Sequence, residues 1–298
     1  MQPILAYSSS GSFPSDFSQC PPAAVEWLTF KKNQIEKLKK SKKGIDPSTE
    51  ANWNNLITPQ VVDPIDPPPT CTDENLSYGP LLATTWGQSA PYHDTMIGLA
   101  SGCIYPQVGC VGVAMAQIMK YHNCPSDILR HFNWGIMPPN SNTWTNGIYE
   151  IQRLMKCIND SLMPNYGCEY TYASNAKIIP LLINSFYFSS ATNASYNFST
   201  VKNEILANRP VMLIGGDSVR HVWICDGYTY SKYCVYYYGN WVGINEFHYL
   251  HMNWGWSGVC DGLYTPNNFD PLEVTILGNI QHDFNYEKEM IYNIVPSN

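Results

Sequence analysis

The sequence predicts an α+β fold, helical in its middle and antiparallel β towards its end. Two observations carry this. Small and apolar residues run almost unbroken from Gly109 to Met119, the texture of a buried helix. After Pro210 the texture changes to aromatic and β-branched runs, separated by Gly, Asp and Asn.

Charge is segregated from the start. Residues 1–45 hold seven Lys, no Arg and three acids. They net +4 within a chain of net −7, so the rest carries −11. Pro21-Pro22 precede a predicted helix from about Ala23 to Lys40. Ala24, Trp27, Leu28, Ile35 and Leu38 form its apolar stripe, and Gly44 suits its stop. Two readings stand: a basic segment docked on an acidic body, or an ordinary amphipathic helix with a solvated Lys face. Residues 46–77 read as a linker, broken by Pro47, Pro59, Pro64 and Pro67 to Pro69.

Patterning resumes at Tyr78-Gly79-Pro80-Leu81-Leu82 and opens a domain over residues 78–298. The Cys110 helix ends before Pro125. A second helix spans Thr145 to Lys156. A third follows Ser199-Thr200 and ends at Asn208 or Arg209, ahead of Pro210. Predicted strands are Val211 to Ile214, His221 to Cys225, Tyr233 to Tyr238, Phe247 to Asn253, Gly262 to Tyr264 and Met290 to Val295. Asp226-Gly227 and Asp261-Gly262 supply turn signals between them.

Composition excludes several classes. The negative balance argues against nucleic acid or an anionic membrane as the main partner. No apolar run is long enough to span a bilayer. Met1 to Leu5 lack the basic region and long apolar stretch of a signal peptide. Ten cysteines without any Cys-x-x-Cys pair suggest neither a zinc site nor a dense disulfide scaffold. They leave the redox compartment open.

Chemistry concentrates on a few positions. Cys110 stands at the start of its helix, where unpaired N–H groups and the helix dipole favour thiolate. Gly109 allows a sharp turn into the helix, and Val111, Gly112, Val113 and Ala114 keep its first turn slim for a substrate. His221 would take the thiol proton and later protonate a leaving amine. Asn253 would hold the imidazole through its other nitrogen, shielded by Trp254. Gln88, in Trp86-Gly87-Gln88, would join the Cys110 N–H in holding an oxyanion. Each residue alone has a bland reading: a buried thiol, a core histidine, a turn asparagine, a loop glutamine. The other six histidines are read as packing residues. His248 and His251, three apart in a strand, point to opposite faces and make a poor metal pair. Together, the order Gln, Cys, His, Asn is that of papain-like cysteine proteases.

The surrounding motifs are more specific. Gly109-Cys110-Val111 through Gln117-Ile118-Met119-Lys120-Tyr121-His122 resembles the nucleophile helix of the streptopain family of bacterial cysteine peptidases. His221 to Tyr228 is similar to that family's base strand. His251-Met252-Asn253-Trp254-Gly255-Trp256-Ser257-Gly258, then Asp261-Gly262, resembles its Asn-Trp-Gly-Trp signature. Trp86-Gly87-Gln88 followed by Ala90-Pro91-Tyr92 matches its oxyanion segment.

The resemblance implies a papain-like layout, with a helical subdomain carrying Cys110 and an antiparallel β subdomain carrying His221 and Asn253. It implies an extracellular cysteine endopeptidase acting on proteins or peptides, through Cys110, His221, Asn253, Gln88 and Trp254, with no metal or cofactor. The groove should favour a hydrophobic side chain two residues before the scissile bond. Pro3 to Ser8 with Gly11-Ser12-Phe13 looks like the last strand of an inhibitory propeptide. Residues 1–45 would then be a propeptide remnant docked in cis, and residues 46–77 would hold the maturation site. One departure stands beside the base. The family usually has glycine before its His, whereas Ser218-Val219-Arg220 precede His221, and Arg220 could narrow the groove or add an anionic preference. Two rival functions remain: a catalytically silent peptide binder, and acyl transfer to amines by the same thiol.

Overall fold

The computed structural model describes residues 71–125, 132–141, 145–216, 220–237, 240–269, 271 and 284–297. It also describes Lys32, Ile35, Glu36, Lys39 and Lys40, all helical. The rest of the Ala23–Lys40 helix, the propeptide-like strand and most of the 46–77 linker lie outside the described residues.

After Glu74 the described residues form four α-helices, in chain order α1 (Cys110–His122), α2 (Asn146–Leu162), α3 (Ile178–Asn184) and α4 (Phe198–Leu206). The strands are β1 (Glu74–Tyr78), β2 (Phe188–Ser195), β3 (Val211–Gly215), β4 (His221–Tyr237), β5 (Asn240–Asn253), β6 (Gly262–Tyr264) and β7 (Glu289–Pro296). Among the described residues they form one sheet in the order β2-β7-β3-β4-β5-β6, with β1 also paired to β4. Pairing of β3 with β4 and with β7 is antiparallel, as is that of β2 with β7. The fold is α+β, as the texture of the sequence predicts.

Helix α1 is buried continuously from Val111 to Met119. A helix apolar on every face belongs inside a core. Its end is set by Asn123 in the left-handed conformation (φ 48°), whose amide returns to the Lys120 and Met119 carbonyls. Helix α2 packs against it and runs to Leu162, beyond the expected end at Lys156. Ile151, Leu154, Met155, Ile158 and Leu162 continue its buried face at helical spacing, and this burial outweighs the polar residues between them. Gly112 is one point of closest approach. A Cβ there would meet Asn159 Oδ1 at 2.6 Å, so its smallness serves helix packing, not substrate access as expected.

Further departures concern the sheet and one short helix. The runs expected as His221 to Cys225 and Tyr233 to Tyr238 are one continuous strand, β4. Asp226-Gly227 therefore lies inside a strand and makes no turn. Gly227 is needed there because a Cβ would meet His251 Cβ at 2.8 Å and the Tyr78 carbonyl oxygen at 3.1 Å. Strands β1 and β2 and the short helix α3 are not among the predicted elements: β1 begins inside the stretch read as linker, and β2 is largely polar and partly exposed, so it lacks an alternating apolar signal.

The chain divides into two compact units. One comprises residues 1–77, 229–249 and 263–281. In it, Cys71 and Cys234 form a disulfide, Lys232 pairs with Glu74, and the Cys234 amide donates to Asp73 Oδ1 at 2.8 Å. The other comprises residues 78–228, 250–262 and 282–298. It contains α1 to α4, a second disulfide between Cys103 and Cys168, and every candidate site residue.

Candidate active site

Cys110 is the first residue of α1, behind Gly109 at φ 90°. Only glycine enters that conformation freely. Space also demands it, since a Cβ would meet the Thr171 carbonyl oxygen at 2.9 Å. The Cys110 thiol is partly buried, outside any disulfide, and receives the backbone amide of Val222, the residue after His221. Cysteine helix and histidine strand therefore meet at this thiol.

The expected depression of the thiol pKa is not what results. Burial pushes Cys110 up, while the amides of Val222, Val111 and Cys110 itself pull it down, and burial prevails. Helix-end amides alone do not offset the loss of water around an anionic sulfur. Burial also takes the Cys124 thiol to about 11 and, with the Asp261 charge, Cys260 to about 12.

His221 opens β4 opposite Gly215 on the wholly buried β3. It is itself buried, among Trp256 (4.8 Å between ring centroids), Phe284 (5.2 Å), Trp223 and Trp254 (both 6.0 Å). Its Nε2 lies 2.9 Å from the main-chain carbonyl oxygen of Trp254.

Asn253, expected to hold the imidazole, turns its amide elsewhere. Its Nδ2 donates to the Thr84 carbonyl at 2.7 Å. Its Oδ1 accepts from Gln117 Nε2 at 3.0 Å and from the Gly255 amide at 3.2 Å. Trp254 is fully buried and stacks beside the imidazole, as a shield would, and its own carbonyl meets the ring.

Gln88 is held close to the nucleophile by main chain: its carbonyl accepts from the Val108 amide at 3.0 Å, two residues before Cys110. The neighbouring Gly87 presses on the 254–258 loop, where a Cβ would meet Ser257 Oγ at 2.2 Å. Arg220 faces two carboxylates, Glu287 at 2.7 Å and Glu289 at 2.6 Å. Its charge is matched twice over, which argues against an anionic preference from this side chain.

Sequence reasoning missed Gln117. It lies seven residues after Cys110 on the same helix face, buried, in a helix otherwise apolar along that stretch. Its Oε1 accepts from Thr84 Oγ1 (2.8 Å) and the Trp86 amide (3.2 Å), and its Nε2 donates to Asn253. A lone amide in an apolar helix was the available signal, because a buried polar group must find partners. Also missed was a cluster of the buried Asp226 with the partly buried His251 and Asp261. His251 Nδ1 lies 2.6 Å from Asp226 Oδ1, and Asp261 Oδ1 accepts the Trp254 amide at 2.8 Å.

Residues 86–264 match the model of the peptidase C10 family. The chain belongs to the peptidase C10 family. Streptopain of Streptococcus pyogenes serotype M28 (strain MGAS6180) is 24% identical over 305 residues, covering 90% of this chain and 69% of that protein. The thiol protease/hemagglutinin PrtT of Porphyromonas gingivalis is 21% identical over 329 residues, 99% of this chain and 34% of that protein. The structure of active wild-type interpain A, a cysteine protease of Prevotella intermedia, aligns with a TM-score of 0.54 at 22% identity, over 72% of this chain and 94% of that one. A prointerpain A fragment aligns with a TM-score of 0.57 at 22% identity, over 93% of this chain and 85% of that one. These two likenesses concern the fold. As a C10 peptidase related to streptopain, the chain is a cysteine peptidase with protein substrates. Among the described residues no helix is long and apolar enough to cross a membrane.

Proposed function

We propose that this C10 peptidase is an endopeptidase in which Cys110 and His221 form the catalytic pair. His221 takes the Cys110 proton, and the resulting thiolate attacks the peptide carbonyl carbon. The developing oxyanion receives the Gln88 side-chain N–H₂ and the Cys110 backbone N–H, which as a first-turn amide has no intrahelical acceptor. His221 then gives its proton to the departing amine as the C–N bond breaks, leaving a thioester. Water, losing a proton to His221, hydrolyses the thioester and frees the thiol.

The observation that carries this reading is that the Val222 amide reaches the Cys110 thiol, while the residue before it, His221, seats its imidazole on the Trp254 carbonyl. The raised thiol fits it: a neutral thiol needs a base, and the ion pair with imidazolium supplies what the helix end does not. Trp254 keeps water from that seat, and Asn253 acts one step back by bracing the loop. An extracellular setting is supported by the two disulfides, which form and persist where conditions are oxidising. Residues 1–45 as a propeptide remnant docked in cis, with maturation within 46–77, belong to the same proposal.

The test is casein or peptide hydrolysis by wild type and Cys110→Ala, with iodoacetamide labelling mapped by mass spectrometry. Loss of turnover in Cys110→Ala, with selective wild-type labelling at Cys110, is expected. Labelling without turnover would favour the silent peptide binder. Equal turnover in both proteins would end the proposal.

A further inference from the structure

Both polar groups of the Trp254 main chain are tethered. Its carbonyl oxygen lies 2.9 Å from His221 Nε2, and its amide donates to Asp261 Oδ1 at 2.8 Å. Between Trp254 and Asp261 the chain folds into a tight loop, with Gly255, Ser257, Gly258 and Cys260 all at positive φ. The Val259 amide closes on Trp256 and the Asp261 amide on Gly258. At Ser257 and Cys260 this conformation is unfavoured for a residue with a side chain, and it persists only where neighbours over-determine it. Asp261 is the side chain that ties its far end to its near end.

We propose that Asp261 is a positioning residue for the Cys110–His221 pair, holding the Trp254 main chain so that its carbonyl meets the imidazole. The inference rests on the catalytic reading above. A carboxylate suits the task because a charge-assisted hydrogen bond to an amide is shorter and stronger than a neutral one. Its setting is fixed from three sides. His251 faces it from β5 and Asp226 from β4, and Cys260 precedes it on its own turn. Asp226 is fully buried and anchored by the Leu82 amide at 3.2 Å and by His251 at 2.6 Å. Burial first, then the Asp226 charge, raises Asp261 to about 6, against the pull of the Trp254 amide and the His251 charge. For His251, burial opposes the imidazolium, but the hydrogen bond and charge of Asp226, with Asp261 adding, raise it overall. Below about pH 6 Asp261 is therefore a neutral acid and a weaker acceptor for Trp254, so its grip loosens as pH falls through that range.

The experiment compares wild type, Asp261→Ala and Asp261→Asn as full chains. It follows kcat and KM on a peptide substrate from pH 4.5 to 8, and the rate of Cys110 alkylation by iodoacetamide over the same range. Asp261→Ala is expected to lower kcat by about 10–100-fold, with KM changed by less than about threefold, since a misplaced base slows chemistry more than binding. Asp261→Asn keeps an acceptor for the Trp254 amide. It should restore kcat to within about fivefold of wild type and remove the inflection near pH 6 from the acid limb. A folded Asp261→Ala with wild-type kcat would overturn the inference, and so would an unchanged inflection in Asp261→Asn. Should Asp261→Ala not fold, the Asp261→Asn profile decides. If wild type shows no Cys110-dependent turnover, the catalytic reading has failed. The alkylation profile of Asp261→Asn against wild type still decides whether Asp261 acts on the thiol–imidazole pair.

Discussion

The His221 imidazole rests on main chain: its Nε2 lies 2.9 Å from the carbonyl oxygen of Trp254, while the amide of the neighbouring Asn253 braces Gln117, Thr84 and Gly255. Because that acceptor is main chain, it is not removed by exchanging the Asn253 side chain. The contribution of Asn253 is therefore expected first in stability. Asn253→Ala strands the Gln117 amide, the Gly255 N–H and the Thr84 carbonyl in a buried place. Each stranded group costs about 1–3 kcal/mol. Thermal unfolding should show a clear drop in Tm, with kcat falling less than in His221→Ala. Unchanged Tm with kcat lost as fully as in His221→Ala would show instead that Asn253 serves the imidazole directly.

The Cys103–Cys168 disulfide is expected to matter to catalysis as well as to stability. It ties the 97–107 loop to the segment before Thr171. There the Gln107 amide meets the Gly167 carbonyl, Thr171 Oγ1 donates to the Gln107 carbonyl, and Ser89 Oγ donates to Gln107 Oε1. These bonds seat the stretch whose next residue, Val108, holds the Gln88 carbonyl. Replacing both cysteines by serine should cost about 2–4 kcal/mol in urea unfolding. It should also lower kcat in the same sense as Gln88→Ala, for which loss of an oxyanion donor predicts ~10²–10³. A destabilised double variant with full kcat would separate the disulfide from the oxyanion residue.

Acid sensitivity should arise in part at Glu204. This buried carboxylate on α4 receives Arg209 through two 2.7 Å hydrogen bonds and the Asn293 amide of β7 at 3.0 Å. Burial raises its pKa, but Arg209 and the Asn293 amide together outweigh it, and the net shift is downward. A carboxyl whose folded pKa is depressed contributes stability above its unfolded value, near 4.5, and loses it as pH falls through the folded value. Glu204→Gln should therefore be less stable than wild type at pH 7, by about 1.5–3 kcal/mol. The gap should close as pH falls below about 4.5. Urea unfolding of both proteins from pH 3 to 7 measures this, and a gap independent of pH would count against the ion pair as its source.

Local chemistry was legible in the chain. The apolar run after Cys110 needs burial on all sides, so it is a core helix, and Gly109 and Asn123 bound it through backbone conformations that few residues adopt. The β-branched and aromatic runs after Pro210 prefer a pleated surface, and β3, β4, β5 and β7 follow them. The motif order likewise points to a cysteine peptidase.

The type of each element and the residue types available for chemistry thus follow from the chain alone, because period and propensity act between near neighbours. Which groups meet across distance depends on packing. Asp226-Gly227 reads locally as a turn, yet close approach of His251 and Tyr78 makes it strand. Asn253 reads as the partner of the imidazole, yet Gln117, 136 residues earlier, claims its amide. Asp261 reads as a turn residue, yet its carboxylate holds the Trp254 amide. Hydrogen bonds and buried charges are settled by geometry within about 3 Å, and that geometry exists only once the helix core and the sheet have packed together.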